Sequence, residues 1–261
     1  MIRFENVTFA YDEVLVLQDV SFHVAPGETT VILGISGSGK STILKLVAGL
    51  VFPQTGRVLI NGVDMTRVRE SQWRRVRRKI GFVFQGGALF DSMTVGENIG
   101  YTLLEHTDQS LDEIEQTVRK TLRFLNLSED LIDQLPDELS GGMQRRVAIG
   151  RALAAIDPEI MLYDEPTTGL DPISTKSIVD MIIKLRDIRR VSSIIVTHQI
   201  ADAFRMTEHF IMIEDGRIVF DGTGPELLCS EHPRVKAFLG PFLRSVAALP
   251  HCDERDGVFG A

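Results

Sequence analysis

The stretch GISGSGKST, Gly34 to Thr42, constrains this chain more than any other. It lies between a short apolar run, Thr30 to Leu33, suited to a buried strand, and the helix-forming run ILKLVAGL. Strand, glycine-rich turn ending in Gly-Lys-Ser, and helix together make a phosphate-binding loop. The glycines allow consecutive backbone N–H groups to converge on phosphate oxygens, and the helix N-terminus adds positive potential. Gly34, Ile35, Ser36, Gly37, Ser38, Gly39, Lys40, Ser41 and Thr42 are therefore read as the nucleotide cradle. Lys40 is expected to reach the terminal phosphates and Ser41 to ligate Mg²⁺. Further apolar runs, Ile80 to Phe84, Ile160 to Tyr163 and Ser193 to Thr197, alternate with helical patterns and predict a mostly parallel α/β sheet.

A second half of the site lies downstream. In EIMLYDEPTTGLD, 159 to 171, an apolar strand ends in two adjacent acids. Alone they fit an ordinary strand-to-helix turn. Beside a phosphate loop, Asp164 suits the metal's water shell and Glu165 suits polarisation of an attacking water. SSIIVTHQ carries another strand out to His198, a structural histidine or a contact to the γ phosphate. Tyr11, in FAYDE, can stack on a base or be an ordinary half-buried strand tyrosine. The run LSGGMQRR, 139 to 146, precedes the helical VAIGRALAA. Ser140 is a good N-cap there, and Gly141 and Gly142 free further amides, giving a second phosphate-facing helix end. One nucleotide cannot readily occupy both ends, so Ser140 is expected to serve a nucleotide held by another copy.

In this order the motifs resemble those of the ATP-binding cassette ATPases, the nucleotide-binding subunits of ABC transporters, over residues 1 to about 240. The resemblance implies a P-loop NTPase (RecA-like) core with an N-terminal antiparallel β subdomain and an inserted α-helical subdomain. It assigns 1–87 and 156–222 to the core, 88–155 to the helical insert and 223–261 to a C-terminal extension and tail. It implies ATP and Mg²⁺ as ligands, Tyr11 as adenine stacker, and Ser41, Gln85 and Asp164 as metal residues. Glu165 becomes the catalytic base, with His198, Gln85 and Lys40 beside it. Ser140, Gly141, Gly142 and Gln144 form the signature, and Asp171 closes a dimer-contact loop. None of these positions is degenerate, so the chain is expected to hydrolyse ATP as a sandwich dimer. Transmembrane permease subunits are the implied partners, with Ala88, Leu89, Phe90 and Met93 offering them apolar contacts. The wording QGGALFDSMTVGENI, with Met143 in the signature, is similar to the Mce-associated, Mla-type lipid-transport subgroup. That similarity implies an Mce-domain substrate-binding protein and a peripheral position on the cytoplasmic face of a bacterial inner membrane. A plastid relative would carry a transit peptide.

The remaining features narrow the alternatives. A net charge of −8 disfavours indiscriminate contact with nucleic acid or anionic membrane, so no nucleic-acid partner is expected. Cys229 and Cys252 have no metal-ligand spacing. No apolar stretch approaches a membrane span, and no secretory leader is legible. Ser110 with Glu113, and Thr223 with Glu226, read as capping boxes, and Leu111, Ile114, Val118, Leu122 and Leu125 as one helical stripe. Arg67 to Lys79 holds seven bases and one acid, while Glu105 to Glu138 holds ten acids and three bases. Both read as solvated helix faces, with a phosphate or lipid-headgroup contact as the other reading of the basic run. The rival functions are the ATPase of a polar amino-acid or other small-solute importer, a soluble ABC-type protein acting on DNA or ribosomes, and a nucleotide sensor without turnover.

Overall fold

The computed structural model describes residues 1–154 and 158–245. The 155/156 subdomain boundary, Cys252 and the tail lie outside them. Two sheets organise the chain. Strands β1 (Ile2–Tyr11), β2 (Val14–Val24), β4 (Thr55–Ile60) and β5 (Val63–Asp64) form an antiparallel sheet in the order β2-β1-β4-β5. Strands β3 (Thr29–Leu33), β6 (Ile80–Val83), β7 (Ile160–Asp164), β8 (Ser192–Thr197), β9 (His209–Glu214) and β10 (Arg217–Thr223) form a second sheet. Its order is β10-β9-β3-β8-β7-β6, parallel except for the final β9–β10 hairpin.

The parallel strands are buried on both faces, which is why they read as continuous apolar runs rather than alternating ones. Ile32, Ile160, Leu162, Val196 and Ile211 pack towards the antiparallel sheet and helix α1 (Lys40–Val47). Their neighbours Val31, Leu33, Met161, Tyr163, Ile195 and Phe210 join the other core, beneath the helical layer. That layer includes α3 (Val95–His106), α4 (Leu111–Phe124) and α5 (Gly141–Leu153), which pack together between β6 and β7 in sequence. α2 (Glu70–Arg77) leads into the edge strand β6, and α6 (Pro172–Arg189), α7 (Ile200–Met206), α8 (Gly224–Leu228) and α9 (Pro233–Ser245) complete the chain.

Local sequence sets several of these boundaries. Ser110 and Glu113 form the expected capping box at the start of α4, as Thr223 and Glu226 do for α8. Leu111 departs from the expected stripe: it is the first residue of α4 and is exposed, while Ile114, Val118, Leu122 and Leu125 are buried. The strand read as Ile80 to Phe84 ends at Val83, which leaves the Phe84 ring to stack on Phe82 with centroids 4.0 Å apart.

Candidate nucleotide and catalytic site

The C-terminal ends of β3, β7 and β8 deliver their loops to one cleft of about 600 Å³, where open parallel sheets bind ligands. The phosphate loop forms one wall, and Gln85, Glu165 and His198 line the cleft with it. Gly39 caps α1 at φ +102°, and a Cβ there would fall 2.7 Å from Leu17 Cδ2 of the antiparallel sheet. Only glycine meets both demands, so packing of the two sheets and loop shape are fixed by one residue.

The Lys40 ammonium donates to the carbonyl oxygens of Gly34 (2.8 Å) and Ile35 (2.9 Å) and lies 3.8 Å from Glu165 Oε1. Burial lowers its pKa, and the charges of Glu165 and Asp164 oppose that shift. Ser41 Oγ donates to Asp164 Oδ1 at 2.9 Å. Burial raises the Asp164 carboxyl, partly offset by that hydrogen bond. Among the described residues no cluster of three His, Cys, Asp or Glu could hold a metal alone. A hydroxyl and a carboxylate in contact nevertheless fit Mg²⁺, which takes one or two protein oxygens and fills its shell with water and phosphate. The buried Ser38 hydroxyl, without a hydrogen-bond partner, faces the same requirement for a polar ligand.

Glu165 is held from several sides. Its backbone sits at φ +47°, a conformation that costs a non-glycine residue energy and persists where surrounding contacts enforce it. Its N–H donates to the Val196 carbonyl at 2.9 Å. Oε2 accepts from Thr168 Oγ1 (2.9 Å) and Thr197 Oγ1 (3.2 Å), and His198 Nδ1 lies 3.0 Å from Oε1. Burial works against the ionised carboxylate, yet the hydrogen bonds from His198 and Thr168 and the charges of His198 and Lys40 hold its pKa below the usual value. The arrangement can keep a carboxylate ionised and aimed, ready to accept a proton from water.

Other sequence-predicted residues stand apart. Tyr11, 41 % exposed, packs edge-on against Phe9 and lies 5.8 Å beneath the Lys45 ammonium, outside the cleft lining. Val16 lines the cleft instead, as do Ile200, Phe238 and Pro241. Ser140, Gly141, Gly142, Gln144 and Asp171 are also absent from the lining. Ser140 caps α5 by accepting from the Met143 N–H, and Asp171 caps α6 through the N–H groups of Ile173 and Ser174. Gln144 donates to the Pro136 and Leu139 carbonyls, fixing the loop ahead of α5. A Cβ on Gly142 would fall 2.5 Å from Ser174 Oγ, so close packing of α5 on α6 demands that glycine as well as its free amide.

Sequence reasoning missed the side chains that join these parts. Buried Arg145, on α5, donates to the carbonyls of Phe84 (3.1 Å) and Thr168 (3.3 Å). Arg151, six residues further along α5, donates to the Gly87 carbonyl (3.1 Å) and lies over the Phe90 ring at 5.2 Å. Asn98 is wholly buried and hydrogen-bonds both the N–H and the carbonyl of Phe90, together with the Met93 and Thr94 carbonyls. The segment 85–94 is thereby a braced loop: Gln85 touches the cleft while Phe90 remains 40 % exposed. No local signal in LSGGMQRR marks Arg145 as buried, because its carbonyl partners Phe84 and Thr168 lie 61 and 23 positions away in the chain.

Residues 17–168 match the model of the ABC transporter family. The chain is 35 % identical over 239 residues to the intermembrane phospholipid transport system ATP-binding protein MlaF of Haemophilus influenzae, covering 92 % of this chain and 90 % of that one. It is 38 % identical over 253 residues to the chloroplastic protein TRIGALACTOSYLDIACYLGLYCEROL 3 of Arabidopsis thaliana, covering 91 % and 73 %. It is 34 % identical over 255 residues to the "probable ribonucleotide transport ATP-binding protein mkl" of Mycobacterium leprae, covering 98 % and 72 %. Among solved structures, a dimeric ATP-binding cassette in a post-hydrolysis state with ADP and Pi is similar at 33 % identity and a TM-score of 0.78, over 85 % of this chain and 98 % of that one. Another, cbiO1 of Clostridium perfringens, part of the transporter complex cbiONQ, gives 26 % identity and a TM-score of 0.80, over 95 % and 98 %.

Proposed function

The chain belongs to the ABC transporter family, as an ATP-binding and ATP-hydrolysing subunit that works as a sandwich dimer, and we propose that it drives phospholipid movement by a membrane permease. Mg²⁺ with ATP supplies charge neutralisation at the phosphates. Ser41 and Asp164 would hold the metal, with Gln85 at the cleft wall as a further oxygen donor. Lys40 binds the terminal phosphates, its side chain already buried away from competing water. Glu165 takes the proton from the attacking water, and His198 steadies that carboxylate while facing the γ phosphate. Tyr11, exposed at the end of β1, would stack on an adenine that extends past the cleft lining at Val16. Ser140, Gly141, Gly142 and Gln144, remote from their own copy's cleft, cover the nucleotide of the opposite copy, with Asp171 at the seam. They touch nucleotide only on closure, so ATP favours the closed dimer over the open one.

The braced loop carries the link to transport. Gln85 lines the cleft, and five residues on an exposed Phe90 is clamped by Arg151 and Asn98. A permease segment seated on Ala88, Leu89, Phe90 and Met93 would feel the cleft close through Arg145, which reaches Phe84 and the residue three beyond Glu165. The lipid cargo is supported by the identity to MlaF along most of both chains. No helix among the described residues is long and apolar enough to cross a membrane. The subunit then sits peripherally on the cytoplasmic face of the inner membrane, through a permease accompanied by an Mce-domain protein. Purification of the tagged chain from its native membranes in mild detergent, with mass spectrometry of its companions and lipids, tests this. A permease with an Mce-domain protein and bound phospholipid is expected. A permease with a soluble solute-binding protein would overturn the lipid reading in favour of small polar cargo.

A further inference from the structure

The nucleotide site uses none of the seven bases between Arg67 and Lys79. α2 buries Trp73 against Gly49, where a Cβ would fall 2.5 Å from the indole. It also turns Arg77 inward, to donate to the carbonyls of Ala48 (3.1 Å) and Gly49 (2.8 Å) at the end of α1. This anchorage decides which face of α2 looks outward: Arg74, Arg75 and Arg78 are all exposed. The nearby acids are engaged elsewhere, Glu70 with Arg77 and Glu159 with Lys79. Among the described residues, no carboxylate pairs with the three outward guanidinium groups. Just past the α1 end that α2 packs on, Leu50 and Phe52 are 52 % and 48 % exposed, the Phe52 ring 6.0 Å from that of Trp73.

Unpaired guanidinium groups next to exposed Leu and Phe suit a bilayer interface, where bases meet phosphate headgroups and apolar side chains reach the acyl boundary. We propose that this face of α2, with Leu50 and Phe52, rests on the anionic phospholipid headgroups of the membrane. The proposal rests on the reading that the chain works at a membrane. Nucleic acid is the poorer occupant, because its phosphate backbone would meet the guanidinium groups but give the exposed Leu50 and Phe52 no acyl boundary to enter. A headgroup surface needs only local contact. α2 runs straight into β6, which ends two residues before Gln85, so a lipid contact would also hold the edge of the cleft at a set height beneath the permease.

The test is co-sedimentation of the purified full chain with phosphatidylcholine vesicles, with and without phosphatidylglycerol, across a salt series. Binding to the anionic vesicles at low salt and none to the neutral ones is expected. The variant R74E/R75E/R78E should weaken that binding at least about 100-fold, since each base lost near an anionic surface removes about fivefold and the added acids repel it further. Replacing the same residues by lysine should preserve binding, and Leu50→Ser with Phe52→Ser should weaken it. Unchanged ATP hydrolysis in solution would show that each variant is folded. Wild-type sedimentation by the glutamate variant, indifference of the wild type to phosphatidylglycerol, or tighter binding to RNA than to vesicles would overturn the proposal. If the vesicle contact fails while the permease copurifies, this inference alone falls; if the contact holds and no permease appears, the transporter reading falls instead.

Discussion

Thr168→Val isolates what the hydroxyl contributes to the proposed base. Glu165 Oε2 has two hydroxyl donors, Thr168 at 2.9 Å and Thr197 at 3.2 Å, and the substitution removes the shorter one while the backbone contacts of residue 168 remain. A hydrogen bond to a charged group contributes about 1.5–3 kcal/mol. Thr168 is only half-buried and Thr197 and His198 still hold the carboxylate, so the low end applies. As a restraint that aims the carboxylate at the attacking water, about 1.5 kcal/mol corresponds to a roughly tenfold lower kcat when it is lost. The lost donor favours the ionised acid, so its loss raises the Glu165 pKa and moves the acid limb of the kcat–pH profile to higher pH. KM for ATP should stay level because Thr168 is outside the cleft lining, and Thr168→Ser should restore both kcat and the limb. Steady-state phosphate release across a pH series measures all of this. An unmoved kcat and acid limb would refute the positioning argument.

Gly142→Ala should cost about 1–3 kcal/mol through overpacking against Ser174, read as a lower Tm, and adding Ser174→Gly should recover part of the loss. No recovery would mean that the glycine serves something other than the α5–α6 contact. His209, between Asp221 (2.8 Å) and Glu28 (2.7 Å), has its pKa raised chiefly by the Asp221 hydrogen bond, against the effect of burial. Its stabilisation is therefore complete below the ordinary histidine value and fades as pH rises through the raised one. Chemical denaturation should show that fading, and Asp221→Asn should shrink it; an identical pH dependence in the variant would remove the ion pair from the account.

The elements with strong local signals were legible before any coordinates. The phosphate loop, Asp164 and Glu165 at a strand end, and the Ser110 and Thr223 caps rest on spacing within a few residues, and the sequence carries that directly. The braces were not legible, because they join residues far apart in the chain. Arg145 meets Phe84 across 61 positions, and Thr197 meets Glu165 across 32. Nothing in QGGALF indicated that Asn98 would hold its backbone, since a buried asparagine on an apolar helix face has no periodicity of its own. Gly142 was credited with a free amide alone, and its contact with Ser174 depended on helix packing that no motif encodes. Leu111 was misassigned for the converse reason: helical periodicity marks a face but not where the helix begins to be covered.

The account turns on two copies closing head to tail over ATP, with Ser140 of each serving the other's nucleotide. Sedimentation velocity of Glu165→Gln with Mg²⁺ and ATP tests that directly, because a chain without the proposed base is expected to bind nucleotide without turnover and hold the closed state. A dimer with ATP, a monomer with ADP, and loss of the ATP-dependent dimer on adding Ser140→Arg are expected. A Glu165→Gln chain that stays monomeric with ATP, or a dimer that tolerates arginine at 140, would contradict it.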